Sequence, residues 1–395
     1  MDTYLNILNR SKNLFDEDIS LLSENLKEII TGSSFLVIGG SGSIGQATVL
    51  EIFKRHPAKL HVVDVNENNL VELVRNIRSS EGYISGEFKT FCLDISSLEY
   101  DAFIKFNKKY DYVLNLSALK HVRSEKDPFT LMRLIKVNIL NTKKTLQQSI
   151  ETGVKKYFAV STDKAANPVN MMGASKKIME LFLMRASEEI CISTARFANV
   201  AFSDGSLLHS FKNRLDRNQP FVAPTDIKRY FITPQESGEL CLISSILGEN
   251  REILFPKLDS LELTSFVEIA ERFLAYRNLK PYMCSSEDEA REISSSKASD
   301  GFWPCYFSES DTTGEKYEEE FYTGDEEVDL ETYKNLGIIK NKIPKNLESL
   351  ELFTSGIENL LESGYWTKEN LVEQFKLILP DFNYVDKGKY LDSKM

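Results

Sequence analysis

An acidic and a basic side chain stand next to each other in the segment STDKAANPVNMMGASKK, residues 161–177. Asp163 and Lys164 follow an apolar run of strand type, and a second lysine, Lys176, comes later in the segment. An adjacent carboxylate and ammonium at the end of a central strand can exchange protons, provided that burial or nearby cations depress the lysine pKa toward neutrality. The alternative is an ion pair on a surface turn. Met172 stands four residues before Lys176 and cannot exchange a proton.

A glycine-rich turn separates the first apolar run from the first helical pattern. The sequence GGSGSIG places Gly39, Gly42 and Gly45 where low side-chain bulk lets the backbone approach a pyrophosphate at a helix N-terminus. Ser43 and Ile44 lie within the same turn. Because the turn follows a strand pattern, opens a helix and precedes an acidic strand end, it predicts a dinucleotide-binding site.

The acidic residue at the end of the second strand pattern is Asp64. Its carboxylate is placed to accept hydrogen bonds from the adenosine ribose and would repel a 2′-phosphate, which favours NAD over NADP. Asp64 could instead only cap the next turn. Asp94 and Ile95, at the end of the third strand, lie beside the adenine ring or are plain turn residues. Ser117 and Ala118, after the fourth strand, complete the predicted cofactor contacts.

Short apolar strands alternate with amphipathic helical patterns through the first half of the chain. The six predicted strands lie in SFLVIGG, KLHVVDV, EFKTFCLD, YDYVLNL, VKKYFAVST and CISTARFANV. This alternation is typical of an α/β fold in which a doubly wound parallel sheet of the Rossmann type is covered on both faces.

The remaining sequence suggests further parts around that sheet. We expect an N-terminal helical segment over 1–31, the NAD-binding domain with the catalytic residues over 32–205, a smaller mixed substrate-binding part over 206–283 and a helical, acidic extension over 284–395. The acidic run in the extension predicts a solvated, partly mobile segment. The aromatic residues within it indicate that part of it packs.

Composition excludes several classes of protein. The formal net charge of −11 argues against nucleic acid or anionic lipid as a partner. The five cysteines form no C-x-x-C pair, so we expect no structural zinc and a reducing, cytoplasmic location. The first thirty residues lack the pattern of a signal peptide. The sequence contains no apolar stretch of 18 residues, so we expect no insertion into a membrane.

Several blocks together resemble one family of enzymes. They are GGSGSIG, ALKHV, STDKAANPVNMMGASKK, ARFANV, KRYFIT and PKLDSLEL, and they span roughly residues 32–275. The chain is similar to the extended short-chain dehydrogenase/reductases, and more narrowly to the CapD-like nucleotide-sugar 4,6-dehydratases that act on UDP-GlcNAc. It resembles the branch of that family in which methionine replaces the usual tyrosine.

The resemblance implies a reaction and a role for each residue of the segment. Such enzymes use NAD to oxidise C4 of a nucleotide-linked N-acetylhexosamine, remove the C5 proton, expel water from C6 and return the hydride. By resemblance, Lys164 takes the C5 proton and Asp163 protonates the departing O6. The O4 proton goes to Thr162, to Asp163 or through water, since Met172 replaces the tyrosine, and Lys176 holds the nicotinamide ribose.

Further implied roles concern the substrate and the assembly. Contacts with the nucleotide sugar are expected from Lys120, His121, Asn199, Arg229 and Lys257. A homo-oligomer is expected, because the helical pattern near 130–152 offers an apolar face that could instead only cover the sheet. The alternatives to a dehydratase are a nucleotide-sugar 4-epimerase or reductase, and a non-catalytic cofactor-binding scaffold.

Overall fold

The structure is a computed structural model that describes residues 3–107, 109–316, 318–343 and 348–390. Its strands in chain order are β1 (Ser34–Ile38), β2 (Lys59–Asp64), β3 (Glu87–Cys92), β4 (Tyr112–Asn115), β5 (Lys156–Thr162), β6 (Cys191–Phe197), β7 (Asn199–Val200), β8 (Phe221–Pro224), β9 (Lys228–Ile232), β10 (Glu252–Pro256), β11 (Leu263–Ser265), β12 (Lys280–Met283), β13 (Phe302–Ser308), β14 (Glu327–Asp329) and β15 (Leu336–Lys340).

The helices surround these strands. They are α1 (Thr3–Ile7), α2 (Asp16–Thr31), α3 (Ser43–Phe53), α4 (Glu67–Ser80), α5 (Leu98–Phe106), α6 (Pro128–Ile135), α7 (Asn141–Glu151), α8 (Met171–Ala186), α9 (Leu207–Asp216), α10 (Pro234–Ile246), α11 (Phe266–Tyr276), α12 (Glu287–Ser299), α13 (Glu348–Ser363) and α14 (Lys368–Ile378). A π-helical turn, Lys136–Leu140, joins α6 to α7, and a 3₁₀ turn, Asp163–Ala165, follows β5.

The main sheet has the strand order β14-β15-β10-β6-β5-β4-β1-β2-β3 among the described residues. The strands from β10 to β3 are parallel, whereas β15 and β14 are added antiparallel at one edge. The predicted α/β class and all six predicted strands are therefore confirmed. The strand order reverses between β1 and β4, and ligands of open α/β sheets bind at the carboxyl ends of the strands beside such a reversal.

The residues after 284 are built into the rest of the molecule. β14 and β15 extend the main sheet, and β13 lies between β12 and β8 in a separate three-stranded sheet. The domain boundary expected at residue 284 therefore separates strands that belong to the same sheet, in the main sheet and in the three-stranded sheet alike. Trp303 and Phe321 are buried, in agreement with the expectation that aromatic residues of the acidic run pack.

The C-terminal helices cover the apolar face that suggested an oligomer. Leu131, Met132 and Leu134 of α6 belong to a buried cluster that includes residues of α13 and α14, and α14 packs against both α6 and α8. This face is used within the chain and gives no support to the expected oligomer.

A bilayer span needs about 20 consecutive apolar residues in a helix. In the parts of the chain that the structure describes, no helix meets the requirement of length and apolarity for crossing a membrane.

Candidate active site

The glycine turn lies between β1 and α3, at the carboxyl edge of the main sheet. Gly39 has a φ of +72°, and a Cβ there would lie 2.6 Å from the backbone nitrogen of Ser117 after β4. Glycine is thus required both for the left-handed backbone and for the close approach of the two strand ends. Gly42 is the N-cap of α3, which begins at Ser43 and includes Gly45. The helix N-terminus therefore presents its backbone N–H groups at this edge, as an anionic ligand requires.

Asp64 fixes this turn from the neighbouring strand. Its Oδ2 accepts a hydrogen bond from the Ser41 backbone at 3.0 Å, and its Oδ1 accepts one from Asn66 at 3.0 Å. The carboxylate thus ties the glycine turn to the start of α4, in addition to any contact with a ribose. The hydroxyl of Ser41 is buried without a partner among the described residues, so a polar group remains to be satisfied at this place.

The other predicted cofactor contacts after β3 and β4 have structural roles in the fold. Asp94 accepts hydrogen bonds from the backbone and the hydroxyl of Ser96, both at 2.8 Å, and the backbone bond holds the Asp94 pKa below its usual value although burial opposes it. Ile95 is buried in the core. Ser117 donates to Asn115 at 2.6 Å, and Ala118 follows it, half-buried. These contacts are those of the turns that follow β3 and β4.

The predicted acid–base pair lies in the 3₁₀ turn after β5. Asp163 Oδ1 accepts hydrogen bonds from Thr162 Oγ1 at 2.7 Å and from the Lys164 backbone at 2.8 Å, and it lies 3.1 Å from Lys164 Nζ. Asp163 is buried. Because one carboxylate oxygen holds all three groups, Thr162, Asp163 and Lys164 form a single connected unit at the carboxyl edge of the sheet.

Glu319, from the acidic run, is one of the residues that the sequence analysis did not predict. Its Oε1 lies 3.4 Å from Lys164 Nζ and 3.7 Å from the Arg229 guanidinium, and its side chain is only 4% exposed. Burial alone would lower the Lys164 pKa, but the carboxylates of Asp163 and Glu319 outweigh it and raise that pKa. The direction is opposite to the depressed pKa expected of a lysine base. The aromatic residues interleaved with the acidic run were the only sequence signal that it packs.

Helix α8 carries the other two predicted residues. Lys176 Nζ donates to the Val160 carbonyl at 3.0 Å, and burial lowers the Lys176 pKa to about 8. Met172 is 4% exposed within the apolar cluster formed with α6, α13 and α14. A Cβ at Gly173 would lie 2.5 Å from the Lys164 carbonyl, so glycine is what allows α8 to contact the acid–base turn. The structure therefore brings Lys176 to β5, while Met172 packs in the apolar cluster.

Glu125 was also missed, and it holds the start of α8. Its Oε2 accepts a hydrogen bond from the Met171 backbone at 2.6 Å, while Asn170 caps the helix by accepting one from Gly173 at 2.8 Å. Burial raises the Glu125 pKa to about 7. Nothing in its local sequence distinguishes it from an exposed acidic residue, because its burial depends on the C-terminal part of the chain.

The five predicted substrate residues are used in different ways. Arg229 is buried and pairs with Glu315 at 2.7 Å, and Lys120 donates to Ser203 at 3.3 Å. The amide nitrogen of Asn199, at the start of β7, is buried without a partner in the described ranges and is suited to a ligand. Lys257 differs from the expectation, since its ammonium donates to the carbonyls of Leu330 and Tyr333 and so holds the turn before β15.

His121 completes this set. Burial lowers its pKa, and the neighbouring charges of Lys120 and Arg123 act in the same direction. The ring is consequently neutral near pH 7. It can donate and accept one hydrogen bond each, but it offers no positive charge to a phosphate.

A parallel sheet with a glycine turn after β1 and a lysine-bearing helix after β5 defines the short-chain dehydrogenase/reductase fold. The chain belongs to the polysaccharide biosynthesis protein family, whose sequence profile matches residues 35–341. The resemblance inferred from the sequence is thereby confirmed.

Individual relatives are distant. The capsular polysaccharide biosynthesis protein CapD of Staphylococcus aureus is 28% identical over 78% of this chain, and the match spans half the length of CapD. The UDP-N-acetylglucosamine 4,6-dehydratase (inverting) of Campylobacter jejuni is 27% identical over 66% of this chain and 80% of its own. The solved structure of Pen from Bacillus thuringiensis superposes with a TM-score of 0.65 over 82% of this chain and 98% of its own, at 22% identity.

Proposed function

We propose that this protein is an NAD-dependent 4,6-dehydratase of a nucleotide-linked N-acetylhexosamine, with UDP-GlcNAc as the leading substrate. The 4-keto-6-deoxy product would serve surface polysaccharide or glycoprotein glycan synthesis. The observation that carries the proposal is the connected Thr162–Asp163–Lys164 unit at the carboxyl edge of the sheet. The family and the C. jejuni dehydratase among its relatives support it.

The residues around the glycine turn fit a dinucleotide. The N-terminus of α3 suits the pyrophosphate, and the Asp64 carboxylate suits ribose hydroxyls and disfavours a 2′-phosphate. NAD held there would supply the hydride chemistry, which is the removal of a hydride from C4 of the sugar and its return at C6. Lys176 is within the helix that contacts this edge and would hold the nicotinamide ribose.

The acid–base unit would move the other protons. Lys164 takes the C5 proton once its pKa has fallen, and Asp163 delivers a proton to the departing O6. The O4 proton is assigned to Thr162, since its hydroxyl already donates to Asp163 and can relay a proton to that carboxylate. A 4-epimerase needs only hydride transfer at C4, so the Asp163–Lys164 pair favours dehydration.

The test is incubation with NAD⁺ and UDP-, GDP- or dTDP-linked hexosamines, followed by mass spectrometry. A product lighter by one water molecule supports the dehydratase. A product of unchanged mass with altered chromatographic behaviour identifies an epimerase. If none of the nucleotide sugars changes while cofactor binding is normal, the protein is a non-catalytic cofactor-binding scaffold.

Replacing Met172 by the tyrosine that is usual in the family should not increase the turnover of dehydration. Met172 is packed in an apolar cluster, so Met172→Tyr adds volume and a hydroxyl to a place that suits neither. We expect the turnover of dehydration to stay equal or fall, while Met172→Leu, which conserves volume, stays within a few-fold of wild type. A tyrosine variant about tenfold faster, a gain of about 1.4 kcal/mol in transition-state stabilisation, would show that the phenol reaches O4 and that our assignment is wrong.

A further inference from the structure

An acidic loop lies over the proposed active site. We use this name for residues 309–326 apart from residue 317, which form turns and irregular backbone between β13 and β14. Asp226 accepts a hydrogen bond from the Ser310 backbone at 2.8 Å, and Asn170 donates to the Gly314 carbonyl at 2.9 Å. The loop therefore passes the N-terminus of α8, close to the acid–base turn.

Two carboxylates of this loop neutralise Arg229. The guanidinium lies 2.7 Å from Glu315 and 3.7 Å from Glu319, and the Arg229 side chain is only 4% exposed. A buried guanidinium has to be paired, because an isolated charge in the interior is very costly. The Glu315 side chain is 35% exposed, so it can exchange its contact with Arg229 for water at small cost.

The same loop also acts on Lys164. Glu319 Oε1 contacts Lys164 Nζ, while Glu319 Oε2 is buried without a partner in the described part of the chain. Burial and the nearby Asp163 carboxylate both raise the Glu319 pKa, against the attraction of Lys164 and Arg229. The Glu319 carboxylate is thus attracted by Lys164, Arg229 and Lys316, while desolvation and one like charge oppose its ionisation. Such a balance can be shifted by a competing anion.

Resting on the proposed function, we infer that Glu315 and Glu319 compete with the substrate's diphosphate for Arg229. Two carboxylates around a guanidinium present oxygen acceptors in the way a diphosphate does, and arginine binds both groups through a bidentate fork. Binding of a nucleoside diphosphate would therefore displace the middle of the acidic loop. Displacement of the loop would also move the Glu319 carboxylate away from Lys164. This would lower the Lys164 pKa, as a base at C5 requires.

The experiment measures UDP binding by calorimetry in the full chain loaded with NAD⁺. The variants are Glu315→Gln and Glu315→Gln/Glu319→Gln, which keep the shape of each side chain and remove its charge. Glu318→Gln is the matched control for the single variant, because Glu318 is exposed in the same loop and its substitution also removes one negative charge. We expect the double variant to bind UDP about tenfold more tightly, the single variant to lie between, and the control to match wild type.

Amide hydrogen exchange gives a second readout that does not depend on substitutions. In the wild type, UDP should speed exchange in the acidic loop if the loop is displaced. Equal or weaker UDP affinity in the glutamine variants, or slower loop exchange with UDP, would overturn the competition. If one of these results were obtained and the wild type still catalysed dehydration, the proposed function would be supported and only the competition would be wrong. If no variant bound UDP and no nucleotide sugar were converted, the proposed function would fail, and the competition with it.

Discussion

Lys164→Ala is expected to lower the rate of dehydration by about a thousandfold, the range typical of a lost general base. The Lys164 amine, once deprotonated, is the proposed base at C5, and Asp163 cannot serve as acid at O6 and as base at C5 at once. Cofactor affinity should be retained, because the glycine turn and Asp64 belong to other strand ends. The measurement combines product mass with the incorporation of solvent deuterium at C5.

Two further variants make this result specific. Lys155→Ala removes an exposed lysine just before β5, at the end of the strand opposite to Lys164, and should leave turnover unchanged. Lys164→Gln keeps a hydrogen-bonding side chain between Asp163 and Glu319 and separates loss of the base from loss of packing. Deuterium entering C5 at the wild-type rate in either Lys164 variant would remove this residue from the mechanism.

Arg196→Met is expected to lower the free energy of unfolding by about 3–5 kcal/mol, the usual cost of removing one partner of a buried ion pair. Arg196 is fully buried and contacts both carboxylate oxygens of Glu180 on α8, at 3.0 and 2.8 Å. It also contacts both oxygens of Glu326, at 2.8 and 2.7 Å, and donates to the Phe321 carbonyl. Methionine fills a similar volume but leaves the two carboxylates without these hydrogen bonds, with Lys177 at 3.7 and 3.6 Å from them.

Chemical denaturation of the variant and of a surface control tests this expectation. Arg185 pairs with Glu351 at 2.6 Å, but this pair is largely exposed, so Arg185→Met should change the stability far less. The two variants remove the same kind of side chain and differ mainly in burial. Equal losses would show that the Arg196 network does not stabilise the fold beyond its packing.

The sequence predicted those parts of the fold that depend on local patterns. Buried parallel strands appear as short apolar runs, and β1 to β6 were found for this reason. β14 was not predicted, because its three residues lie in an acidic run and pair with β15 only after the chain has returned to the sheet. Its place depends on long-range contacts such as that between Arg196 and Glu326.

The candidate site also contains residues that a local motif predicted and residues that depend on long-range contacts. Thr162, Asp163 and Lys164 are consecutive, so a local motif was sufficient to predict them. The pairing of Lys164 with Glu319 is absent from any local pattern, because a mobile, solvated segment and a packed acidic loop have the same composition. Lys257 shows the converse, since a lysine in a familiar motif donates to carbonyls of the turn before β15.

The close contact at Gly173 has a mechanical consequence. The backbone of α8 rests on the Lys164 carbonyl, and the other side of this helix packs on α14, near the C-terminal end of the described chain. A movement of α14 can therefore reach the acid–base turn through two contacts, that of α14 with α8 and that of Gly173 with the Lys164 carbonyl. Residues of α13 and α14 pack with Met172 of α8 in one apolar cluster, so we expect a disturbance of the C-terminal helices to change the position of the Thr162–Asp163–Lys164 turn.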